Sequence, residues 1–151
     1  MTIRVAEEKD YIQVENLMKQ VQNLHVELRP DIYKPEEVVL PKKEFMEQAK
    51  KEEILVAVEE KKVVGLLSYI LRMISGKTVV EKKVLFIECL VVDEEYRGRG
   101  IGSRLLDCAK EIYREKKCNG LELQVNARNI GAWELYKKCG FREKSINMEL
   151  E

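Results

Sequence analysis

The 151-residue chain has one histidine, one tryptophan and three prolines, and the prolines all fall at positions 30, 35 and 41. Its four cysteines, Cys89, Cys108, Cys118 and Cys139, include no Cys-x-x-Cys pair, and His25 is the only imidazole. No zinc site is expected from so few ligands, and no metal enters the reading. No stretch approaches the ~20 consecutive apolar residues of a membrane-spanning helix, and Met1–Glu8 has no apolar run of signal-peptide length. Reduced thiols in a cytoplasmic protein, with no membrane partner, are therefore expected. Neither sign of charge dominates: Lys and Arg number 27, Asp and Glu 27. A neutral chain is not drawn to nucleic acid by its overall field. It also lacks the cluster of basic and aromatic residues that a nucleic-acid surface needs.

What is present suits one domain over residues 1–151, long enough to hide about 68–70% of its unfolded surface. Hydrophobic residues make up 45% and charged residues 36%. Thr2–Ala6 predicts a short strand. Asp10 offers an N-cap, and Val14, Leu17, Met18, Val21, Leu24 and Leu28 recur at helical steps behind it. Arg29-Pro30 ends that helix, because a residue before proline avoids the helical region. A second helix is expected over Lys42–Lys51, burying Phe45, Met46 and Ala49. Ile54–Val58 and Val63–Ile74 flank a polar turn and predict an antiparallel hairpin. Val84–Val92 is a near-continuous apolar run, as in a strand covered on both faces. Glu88 is its single charge, and burial there is expected to raise its pKa and make it a better base. A helix is expected over Ser103–Lys117 and a half-buried strand over Leu121–Val125. A helix over Asn129–Cys139 and a terminal strand over Phe141–Leu150 complete the order.

The turn Arg97-Gly98-Arg99-Gly100-Ile101-Gly102 joins the apolar strand to a helix start. Such a start leaves about four backbone N–H groups without partners and carries about half a positive charge. Glycines let the backbone approach a ligand, and two arginines lie among them. Together they make an anion site of phosphate or diphosphate size. The glycine spacing is not G-x-G-x-x-G, and the Lys-Ser or Lys-Thr of a phosphate-binding P-loop is missing. Further on, Asn129, Ala132 and Tyr136 share one helix face.

The order strand, Arg97-x-x-Gly100-x-Gly102, helix, strand, then Asn129-x-x-Ala132-x-x-Leu135-Tyr136-x-x-x-Gly140-Phe141 resembles the Gcn5-related N-acetyltransferases, the GNAT family. The resemblance implies an α+β fold whose mixed, mostly antiparallel central sheet is flanked by helices and splays between its central strands. It implies acetyl-CoA as cosubstrate. Backbone N–H groups of Arg97, Gly98, Arg99, Gly100, Ile101, Gly102 and Ser103 would hold its diphosphate. Leu90, Val91 and Val92 would flank the pantetheine arm, with Asn129 on its other side. Glu88 would take a proton from the amine, directly or through water. Tyr136 would serve the leaving thiolate as an acid, and an N–H near Leu90 or Val91 the oxyanion. The acceptor would be a primary amine of a small molecule or peptide, met near His25–Tyr33. A homodimer through the C-terminal strands is also implied. The competing reading is an acyl-CoA sensor of the same fold without turnover.

Overall fold

A computed structural model describes residues 1–151. Strand β1 (Thr2–Val5) leads through a short 3-10 turn into α1 (Tyr11–Leu28). An irregular stretch then precedes α2 (Lys42–Lys50). Three strands follow: β2 (Ile54–Glu59), β3 (Lys62–Ile74) and β4 (Lys82–Val92). The chain ends with α3 (Ile101–Glu115), β5 (Gly120–Leu123) and α4 (Ile130–Lys138). The strands lie side by side in chain order. Neighbours from β1 to β4 are antiparallel. Only β4 and β5 are parallel, and a parallel pair needs a crossover, which α3 provides. The fold is α+β.

Each sheet face has its own core. On one, Val14 and Leu17 of α1 and Phe45 of α2 meet Val56, Leu66 and Val91. On the other, Ile101, Leu105, Leu106 and Ala109 of α3 cover Leu55, Leu67, Leu85 and Ile87. This explains why β3 and β4 read as apolar runs rather than as alternations: both faces are covered.

One irregularity organises the centre. Cys89 pairs with Ser68 and Ile87 with Tyr69, so Glu88 is an extra residue, a β-bulge. Before it, Leu85 and Ile87 face α3; after it, Leu90 and Val92 keep that side while Cys89 and Val91 turn toward α1. Pairing with β5 also stops here, at Ile87 opposite Leu123. The expected strand to Val125 is therefore shorter, and β4 runs on from Glu88 to Val92 without β5 beside it. The central strands do splay.

Three expectations are corrected. Glu88 is exposed, because the bulge turns it out of the ladder. Asp10 does not cap α1; it is buried, accepts from Arg4 at 2.7 Å and from the Glu7 N–H at 2.8 Å. A guanidinium fork arriving from β1 offers a stronger partner than a helix N–H. The terminal strand does not form: beyond Phe141 the chain is irregular and exposed. It is tethered instead by ion pairs, Lys144 to Glu122 at 2.8 Å and Glu149 to Arg29 at 2.7 Å. Ile146, Met148 and Leu150 do alternate, but alternation does not supply a ladder partner.

Candidate functional site

The turn before α3 is shaped by two left-handed residues, Gly98 and Gly100, each with φ of +79°. A side chain at either position would be strained. The resulting path leaves the backbone N–H groups from Arg97 to Ser103 without an acceptor in the protein. The first to find one is Arg104, on the Gly100 carbonyl at 3.1 Å. Orphan donors at a helix start, flanked by cations, are what an anionic diphosphate needs. Gly102 has a different reason to be glycine: a Cβ there would stand 3.1 Å from Leu135 Cδ2, so α4 packs tightly on the start of α3.

The turn is braced from below. Asp93, buried at the end of β4, accepts from the Glu95 N–H at 3.0 Å and pairs with Lys62 at 3.5 Å. Arg97 Nε donates to the Val92 carbonyl at 3.3 Å, and the Arg99 guanidinium lies 4.7 Å over the Tyr96 ring. The bracing role of Asp93 was not expected from the sequence; an aspartate four residues before a Gly-rich turn was its only signal.

Beside the turn lies the gap between β4 and β5. Leu90 and Val92 are half-buried along it, on the α3 side. Val91 is buried on the opposite face, so its side chain belongs to the α1 core, and its backbone is paired with Leu66 of β3; the main-chain groups turned to the gap are those of Leu90 and Val92, so the expected contact of Val91 with the arm is not supported. Across the gap Asn129 caps α4, its Oδ1 accepting from the Ala132 N–H at 3.2 Å, which leaves its amide nitrogen as a donor. Ser103 turns its hydroxyl to Cys139, 3.7 Å away, rather than into the turn.

Tyr136 projects from α4, half-buried, with its ring edge-on to Phe141 at 5.9 Å. Burial pushes its phenol up to about 12, and neighbouring Cys89 adds to the effect. Burial likewise pushes the Cys89 thiol up to about 12, helped by Glu88. Cys89 points its sulfur at Met18, 3.8 Å away. Tyr136 and Cys89 thus lie near each other where the strands part, with Glu88 next to Cys89 in the bulge. Glu88 and Cys89 also line a cleft between α1, β3 and β4, to which none of His25–Tyr33 contributes. His25 instead stacks on Tyr33 at 4.8 Å, and burial lowers its pKa.

A family model described as "Acetyltransferase (GNAT) family" matches residues 18–141. The chain belongs to the GNAT family. Among solved structures, a mutant of the BH1408 protein from Bacillus halodurans is 31% identical with a TM-score of 0.95, covering 100% of this chain and 99% of that one. The "Uncharacterized N-acetyltransferase MJ1207" of Methanocaldococcus jannaschii is 38% identical over 68 residues, which is 45% of this chain and 30% of that relative. The GNAT fold also recurs in the aminoglycoside N-acetyltransferase AAC(6')-Iy solved in complex with CoA. That structure has a TM-score of 0.74, covers 99% of this chain and 98% of its own, and at 15% identity shares the fold alone.

Proposed function

We propose that the chain is an acetyl-CoA-dependent N-acetyltransferase that acts as one domain on a primary amine. The observation that carries this is the unbroken row of unpartnered N–H groups from Arg97 to Ser103, set at the head of the gap between β4 and β5. In this reading the row holds the diphosphate, with Arg97 and Arg99 beside it. The free edge of β4 at Leu90 to Val92 and the Asn129 amide take the arm. When bound, acetyl-CoA supplies an acyl group activated as a thioester.

The rest falls to side chains at the bulge. An alkylammonium has a pKa near 10.4, so its reactive neutral form lies roughly 4–5 kcal/mol uphill at neutral pH. Glu88, exposed at the cleft mouth, accepts that proton or passes it to solvent. Tyr136, held near 12, keeps its own proton through the neutral range and offers it as a hydrogen bond to a sulfur gaining negative charge. The N–H of Leu90, turned away from β3, serves the acyl oxygen, whereas that of Val91 is engaged opposite Leu66. A cytoplasmic setting fits four unpaired thiols. A homodimer fits the exposed Ile146, Met148 and Leu150 and the unpartnered outer edge of β5.

Calorimetry with acetyl-CoA on the natural chain and on Gly100→Val tests the reading. A β-branched residue at φ of +79° distorts the turn. Affinity is expected to fall at least about tenfold in a variant of unchanged circular dichroism. Unchanged affinity would remove the diphosphate from this turn. Thiol release in the presence of amines then tests turnover.

A further inference from the structure

The cleft at Glu88 holds about 180 Å³. Val14 and Met18 from α1, Ile54 and Leu66 from the sheet, and Leu40 form most of its walls, Cys89, Ser68 and Gln48 add a thiol, a hydroxyl and an amide, and Glu88 is the one charged group on its lining. Cavities of about 150 Å³ lined by aliphatic side chains hold benzene, a molecule of six heavy atoms. A carboxylate at the mouth of a space of that size, with aliphatic walls behind it, suits a cation with an apolar tail. A second ammonium pushed among those walls would lose water with no second carboxylate to meet it, and a polyol would find only the Ser68 hydroxyl and the Gln48 amide for its many polar groups.

Leu40 is the unexpected wall. It belongs to the irregular stretch between α1 and α2, yet it is only 8% exposed. Its N–H donates to Glu15 Oε1 at 2.9 Å, and the N–H of Val39 donates to Glu15 Oε2 at 3.0 Å. Its carbonyl accepts from the Tyr11 hydroxyl at 2.8 Å. A buried glutamate engaged by two consecutive loop N–H groups, with a phenol on the next carbonyl, fixes the backbone where Leu40 closes the cleft.

We infer that the acceptor is a primary amine on an aliphatic group of about six heavy atoms or fewer, seated against Leu40 with its ammonium at Glu88. This rests on the acetyltransferase reading above. The shared chemistry, an ammonium on an apolar tail, is offered both by free alkylamines and by peptides that begin with a residue such as leucine.

The test is a panel with acetyl-CoA: linear amines from ethyl to octyl, a Leu-initiated tripeptide amide, spermidine and glucosamine. kcat/KM is expected to rise about fourfold per added methylene, to a maximum near five or six carbons. Leu40→Ala should move that maximum to longer chains with acetyl-CoA affinity unchanged, and Leu40→Val should move it the same way by less. Without any acetyl-CoA, pentylamine should shift the ε-methyl NMR signal of Met18 in the natural chain. Preference for the alkylamines or for the peptide assigns the source, and either supports the inference. Preference for spermidine or glucosamine, rates independent of chain length, or an unmoved maximum in both Leu40 variants overturns it. If acetyl-CoA binds but no panel member is acetylated and Met18 stays still, the inference fails while the cofactor reading stands. If calorimetry shows no acetyl-CoA binding, the cofactor reading fails, and a still Met18 signal then takes the inference with it.

Discussion

Tyr136 illustrates how burial changes what a side chain can do. A free phenol has a pKa near 10; half-buried beside Cys89, this one is pushed to about 12. In the proposed reaction it would therefore support a leaving sulfur by donating a hydrogen bond more than by giving up a proton. Tyr136→Phe is expected to lower kcat by about 10²-fold with acetyl-CoA affinity unchanged, as read by steady-state kinetics and calorimetry. Asp10 carries the opposite shift. Burial pushes its carboxyl up, but the Arg4 guanidinium and the Glu7 N–H outweigh burial and hold it below its ordinary value. Its stabilising contribution is full above the unfolded pKa near 3.9 and is lost as pH falls through the lower folded value. Asp10→Asn should cost about 1.5–3 kcal/mol at neutral pH and flatten the acid limb of a denaturant-midpoint profile. At this scale the sequence was partly legible. Spacing marked out the Gly-rich turn, because turn geometry is local, while Tyr136 stood out only through the family motif around it. Leu40 and Glu15 were silent, since nothing in either residue says that one will hold the other across 25 positions. Glu88 was misread because its apolar neighbours imply burial, and only the pairing pattern reveals a bulge.

The crossing of α3 over β3 determines where the Gly-rich turn sits. At Gly65 a Cβ would meet Ile101 Cγ2 at 3.1 Å, Leu105 Cδ1 at 3.3 Å and the Val91 carbonyl at 3.3 Å. Two of these contacts belong to the first turn and a half of α3, and the third is backbone, which cannot swing aside. Gly65→Ala is expected to cost about 1–3 kcal/mol by overpacking, and the relief available is outward movement of the start of α3. Chemical denaturation should read the first effect. Calorimetry should read the second as weakened acetyl-CoA binding, although Gly65 is not among the proposed ligands. Elements were the most legible scale. The apolar stripe of α1 and its stop at Arg29-Pro30, the β2–β3 hairpin and the long β4 all follow from period and punctuation. The terminal strand failed for a physical reason: a helix satisfies its own hydrogen bonds, whereas a strand exists only where another strand meets it. Ile146, Met148 and Leu150 have the strand pattern, and no ladder reaches them.

In the whole molecule, β1 to β4 form one antiparallel block, while β5 and α4 join it through a four-residue parallel pairing and α3. The topology was legible through the family motifs rather than through periodicity, because no local pattern announces that two neighbouring strands will part. The opening leaves main-chain groups of β4 facing solvent on one side, at the middle of the sheet rather than at its outer edges. Amide hydrogen exchange should therefore be uneven: fast in β5 and α4, slow in β2 and β3. In the proposed reading a ligand seated in that opening would act as a guest strand, tying β5 and α4 to the antiparallel block. At a concentration one hundred times its dissociation constant, it adds about 2.7 kcal/mol to the global stability. The larger change should be local, as slowed exchange in α4. For this chain, becoming stiff and becoming loaded would be one event.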